Sequence, residues 1–118
     1  MSIAYNSKLI ARLYSASKDE EVERIVEEMQ EIHDPYFIQP YIAAYLRLKD
    51  RSFSHYFLLA LADYKDSSDV LNFVLTVLKQ NPKDGDFVYS LRIVADLAYV
   101  DTEVADLCLK SVKNFSES

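Results

Sequence analysis

Residues 33–46 read HDPYFIQPYIAAYL, an apolar and aromatic run interrupted by Pro35 and Pro40. Inside a helix a proline removes one backbone hydrogen bond and its ring clashes with the preceding turn, at a cost of about 3 kcal/mol. The run still reads as a helix when Asp34 is taken as its N-cap. Pro35 then occupies the first helical position, where no N–H is needed. Pro40 meets the carbonyl of Tyr36 within the first turns, where a bend or a brief 3₁₀ start accommodates it. The stretch therefore predicts a capped helix with a bent entry, over about 36–48.

Working outward, apolar residues recur at helical spacing in seven segments, at about 5–16, 19–32, 36–48, 53–64, 69–80, 86–99 and 102–115. Val22, Ile25, Val26 and Met29 mark the second. Asp19 is its N-cap or first-turn acid. Asp50 or Ser52, Ser68 and Thr102 are the cap candidates for the fourth, fifth and seventh. Lys83-Asp84-Gly85 reads as a turn before the sixth. Connections of a few residues make neighbouring segments antiparallel. The odd segments share one template at i, i+3, i+4, i+7 and i+8. They give Asn6, Leu9, Ile10, Leu13, Tyr14; Ile38, Tyr41, Ile42, Tyr45, Leu46; Val70, Phe73, Val74, Val77, Leu78; and Val104, Leu107, Cys108, Ser111, Val112. Their offsets are 32, 32 and 34 residues. In the even segments Met29, Leu61 and Val94 repeat at 32 and 33. Such a period points to stacked helix pairs, with an irregular seven-helix bundle as the alternative.

Asp34-Pro35 followed by Pro40 resembles the first helix of a HEAT-type repeat, where an Asp-Pro opens the helix and a second proline bends it. DYKDSSDV (63–70) and YVDTEV (99–104) resemble the aspartate-containing turns between such repeats. The second proline is missing from segments five and seven, where Phe73 and Leu107 lie near its place. The arginine common in second helices of the family has no consistent counterpart. The resemblance implies an all-α fold of about seven helices. They would form three and a half antiparallel HEAT-like pairs in a short right-handed solenoid, as a single domain over 1–118. The short acidic chain, with SHYFLLALADYKDSSDVLNFVLTVLKQNP at 54–82, is also similar to the HEAT-like immunity proteins of bacterial polymorphic-toxin systems. That likeness implies tight binding to a toxin, without catalysis.

The totals agree with helices. At 118 residues the chain is the size of one domain able to bury a core. One glycine and three prolines are too few for the frequent turns of an all-β fold. The net charge of −6 is opposite to a phosphate-binding footprint and suits a basic partner. Cys108 is the only cysteine, so no internal disulfide is available. That composition, and an N-terminus without a long apolar stretch, give a cytoplasmic expectation. No run approaches the length of a membrane span.

The catalytic inventory is thin. His33 and His55 fit no zinc spacing, and both read as half-exposed residues near helix ends. Cys108 stands where Ile42 and Val74 stand in the template, so a buried apolar thiol is expected. Gly85 alone makes no phosphate cradle. Glu23, Glu27 and Glu31 form an i, i+4, i+8 stripe. The plain reading is a solvated acidic face, and the functional one is docking to a basic partner. No metal or cofactor is implied.

The tyrosines say more. Tyr41, Tyr45 and Tyr14 fall on the packing template. Tyr56 and Tyr89, 33 residues apart, fall off it, and each has an aspartate seven residues on, Asp63 and Asp96. In helix-pair arrays the second helices line the concave face. A ladder of Glu23 and Gln30, then Tyr56 and Asp63, then Tyr89 and Asp96 is therefore expected, with Leu59 and Arg92 between. The plain reading has these tyrosines packing between repeats. The functional one makes Tyr56, Leu59, Asp63, Tyr89, Arg92 and Asp96 the partner-binding surface, since tyrosine and arginine are common interface anchors. The function expected is a non-enzymatic immunity protein that covers a basic toxin domain, without nucleic acid or membrane partners. The alternative is an adaptor subunit of a larger complex. A HEAT-like DNA glycosylase is disfavoured by length, charge and the lack of tryptophan.

Overall fold

The computed structural model describes residues 3–117. They form seven α-helices, two short 3₁₀ turns and no β-strand. The helices are α1 (Ile3–Ser15), α2 (Asp19–Ile32), α3 (Ile38–Leu48), α4 (His55–Leu61), α5 (Ser68–Lys79), α6 (Asp84–Ala98) and α7 (Thr102–Glu117). The chain is all-α, as its periodicity implies. It divides into two compact units, one closing at Tyr64 and one opening at Lys65.

In the first unit α1 pairs with α2, and α3 with α4. The pairs then stack like on like, α1 against α3 and α2 against α4. The pattern in α2 explains its place. Val22, Ile25, Val26 and Met29 are all buried, while Asp19, Glu20 and Glu21 fill the first turn, where carboxylates complement the helix dipole. The helix ends at His33, whose φ of 57° is left-handed and whose N–H returns to the Met29 carbonyl at 3.0 Å. This is an αL termination of the usual kind, on a residue with a Cβ.

The next residues settle the two prolines. The Asp34 Oδ1 accepts the Tyr36 N–H at 2.9 Å, and Pro35 opens a 3₁₀ turn over Pro35–Phe37. Only then does α3 begin, and Pro40 is buried in its first turn. The other carboxylate oxygen of Asp34 accepts from the Asn6 amide at 2.6 Å, and its carbonyl accepts the Tyr64 hydroxyl at 3.0 Å. One aspartate thus ties the α3 entry to α1 and to the Ala62–Tyr64 turn. The buried face runs through Phe37, Pro40, Tyr41, Ala44, Tyr45 and Leu48, at ordinary helical spacing carried across the 3₁₀ start. Tyr41 and Tyr45 pack as expected, but Leu46 is 55% exposed instead of buried. Tyr14 also departs from expectation. It lies past the Asn6, Leu9, Leu13 stripe of α1 and is 52% exposed. Arg47 closes the other end of α1, donating to the carbonyl of Leu13 at 2.8 Å, which also accepts the Ala16 N–H at 3.3 Å, and to the carbonyl of Ala16 at 2.9 Å.

The fourth segment is tightened at both ends. Backbone bonds from Ser54 to Arg51, Tyr56 to Phe53 and Phe57 to Ser54 span three residues each. Seven residues of α4 follow, and a 3₁₀ turn over Ala62–Tyr64 closes the unit. Neither Asp50 nor Ser52 caps it, for the cap position is Ser54, which makes no side-chain capping bond.

In the second unit α5, α6 and α7 each contact the other two. Val70, Val74, Val77 and Leu78 of α5 and Phe87, Ile93 and Val94 of α6 are buried, and the two helices pack against each other. Between the helices Asn81 takes a φ of 52°, which asparagine tolerates better than most residues, and Pro82 prevents continuation. The expected turn at Lys83-Asp84-Gly85 is instead the start of α6, so Gly85 is helical. Helix α7 is capped by Asp101 in place of Thr102. The Asp101 carboxylate accepts from the N–H groups of Glu103 at 3.0 Å and Val104 at 3.2 Å. Phe87 and Phe115 stack at 4.4 Å between ring centres and hold the end of α7 to the start of α6.

Candidate functional site

The stacking of α4 on α2 sets Tyr56 against the acidic side of α2. Its hydroxyl lies 2.9 Å from Asp19 Oδ1 and 2.9 Å from Glu23 Oε2. Asp19 and Glu23 are one helical turn apart and share a face. A phenol has a single proton, so it donates to one carboxylate at a time, and both carboxylates hold that proton on the oxygen. Hydrogen bonding to Asp19 and then Glu23, followed by burial, pushes the Tyr56 phenol well above its ordinary value of 10. The ring is held from the other side by Phe53, stacked at 6.0 Å, and by the edge of His55 at 4.8 Å. Tyr56 is therefore a fixed, neutral post.

Beside it runs a groove of about 270 Å³, lined by Glu23, Val26, Glu27, Gln30, Tyr56 and Leu59. Four of these, Glu23, Gln30, Tyr56 and Leu59, are positions that the repeat register singles out. Leu59 remains 41% exposed and Val26 only 3%, so the floor is apolar and the wall carboxylate. No Lys or Arg among the described residues forms an ion pair with Asp19, Glu23 or Glu27. Asp63 is not part of the groove. It belongs to the closing 3₁₀ turn, one turn beyond the last groove residue of α4, Leu59.

The remaining residues lie on α6 in the second unit. The Arg92 guanidinium sits over the Tyr89 ring, 5.6 Å from its centre, one turn along the helix. Asp96 is exposed and pairs with Lys65 at 3.5 Å. Such an exposed pair contributes little stability. Sequence reasoning missed Lys65 as a partner of Asp96. It also missed Asp19 as a partner of Tyr56, because the two are 37 residues apart. Glu27 was legible as part of the acidic stripe. A further depression, lined by Leu91, Ala95, Ala98, Tyr99 and Cys108, opens beside α6 and α7. Cys108 is half-buried, and burial pushes its thiol up, which disfavours the reactive thiolate.

Among the described residues no group of three or more His, Cys, Asp or Glu is disposed to hold a metal ion. None of the described helices is long and apolar enough to cross a membrane. Comparison with protein-family models, with curated proteins and with solved structures found no match.

Proposed function

We propose that the chain is a non-enzymatic protein-binding module whose first unit docks a basic protein surface. The observation that carries this is the groove beside Tyr56, where a fixed aromatic ring, an exposed leucine and unneutralised carboxylates meet. Rigid tyrosines with an apolar neighbour are the usual anchors of protein interfaces. The net charge of −6 adds a long-range attraction for a basic partner.

The partner in this reading is a bacterial toxin domain whose basic substrate-binding cleft is covered, the chain acting as its HEAT-like immunity protein. The resemblance of the Asp34-Pro35-Pro40 helix, and the stacking of α1 on α3 and α2 on α4, support that form of the proposal. The test is co-expression with a large toxin gene adjacent to the chain's own gene. Growth is expected to be restored by the native chain. The double variant Glu23→Lys, Tyr56→Ala is expected to fail while keeping its helical circular dichroism, with affinity for the purified toxin domain lower by about thirtyfold or more. Full protection by that variant would overturn the assignment of the groove. A growth requirement for the chain in cells lacking the toxin would favour the adaptor reading instead.

A further inference from the structure

The dimensions of the first-unit groove restrict what can enter it. At about 270 Å³ it falls below the roughly 300–1,000 Å³ typical of sites for drug-sized molecules. It is on the scale of one long side chain. The floor of Val26 and Leu59 calls for an apolar stem, and the wall of Glu23 and Glu27 calls for a cationic head. Lysine and arginine are the two side chains that carry both.

The wall separates them. Glu23 and Glu27 are one turn apart on α2, and both line the groove. Gln30 adds an amide oxygen. Tyr56 adds a hydroxyl oxygen, whose own proton is directed at Asp19 or Glu23 and whose lone pairs stay available. A set of acceptors spread along a wall is matched by a planar fork with five donors, whereas an ammonium is a compact charge with a tighter hydration shell. We propose that the groove receives a single arginine side chain of the partner protein. Its stem lies over Leu59 and Val26, and its guanidinium lies between Glu23 and Glu27. This rests on the protein-binding reading of the same groove and specifies the chemistry that it recognises.

The test uses the whole ¹⁵N-labelled chain and three short peptides of alternating alanine with arginine, lysine or citrulline. The arginine peptide is expected to shift the amide resonances of Glu23, Glu27, Gln30, Tyr56 and Leu59. Citrulline keeps the shape and loses the charge, so its peptide is expected to bind roughly tenfold more weakly or worse. The lysine peptide falls between them. Glu27→Gln and Leu59→Ser, both at exposed positions, are each expected to weaken the arginine peptide severalfold, and Glu20→Gln, outside the groove, to leave it unchanged. Equal binding of the arginine and lysine peptides, shifts confined to other helices, or no binding would overturn the inference. The broader reading is judged separately, with the basic toxin domain itself. Binding of that domain, undiminished in Glu27→Gln and Leu59→Ser, would leave the protein-binding function standing and remove only the arginine.

Discussion

The Tyr41 side chain is wholly buried, and its hydroxyl has no hydrogen-bond partner among the described residues. An unmet buried hydroxyl costs free energy on the order of 1–3 kcal/mol. Tyr41→Phe removes the hydroxyl and keeps the ring, so it is expected to stabilise the fold by about 1 kcal/mol. A rise in melting temperature of about 4 °C would register this. Nearby Tyr64 has found a partner in the Asp34 carbonyl, yet burial, then the charges of Asp63 and Asp34, push its phenol up to about 12. Burial raises Tyr41 as well. The folded chain thus keeps these protons where unfolded tyrosines, near 10, release them. Above pH 10 the unfolded state binds fewer protons than the folded one, and stability falls as the pH climbs towards 12. Urea midpoints measured across that window are expected to drop, and less steeply in Tyr41→Phe. Equal slopes in the two proteins would show that Tyr41 does not contribute.

At the scale of elements, the regular helices were legible, and so was the 3₁₀ entry at Pro35, whereas the choice of buried stripe within a largely apolar helix was not. The spacing of Val22, Ile25, Val26 and Met29 needs only 3.6 residues per turn, and all four are buried. In α3 the buried stripe is Phe37, Pro40, Tyr41, Ala44, Tyr45 and Leu48, and a stripe through Ile38, Ile42 and Leu46 shares Tyr41 and Tyr45 with it, so an apolar helix of this kind does not itself choose between the two. The site expected around Tyr56 was half legible, for Tyr56 and Leu59 line the groove and Asp63, in the closing turn, does not. The caps failed for a different reason. Asp, Ser and Thr are crowded at the junctions, and composition does not choose between neighbours such as Asp101 and Thr102. Gly85 offers a check on one corrected junction. It stands within α6 with no positive φ, so it uses none of the freedom that favours glycine. Gly85→Ala is expected to stabilise by about 0.5 kcal/mol through the unfolded chain. A destabilised variant in chemical denaturation would restore the turn reading.

For the whole molecule, the excess of acid bears on encounter more than on grip. A net charge of −6 attracts a basic partner over distances that salt shortens. Association rates with the proposed basic partner are expected to fall severalfold or more between low and physiological ionic strength, with dissociation rates nearly constant, as stopped-flow mixing can measure. Salt-independent association would mean that the net charge has no steering role. The junction at Asp34 has a consequence of another kind. Its side chain reaches back 28 residues to Asn6, and its carbonyl is reached by Tyr64, 30 residues ahead. The Tyr56 bonds to α2 close loops of 33 and 37 residues. The first unit is thus cross-tied by side-chain bonds that span 28 to 37 residues. Because the entropy lost in closing a loop grows only slowly with its length, each of these ties costs little more to form than a shorter one would.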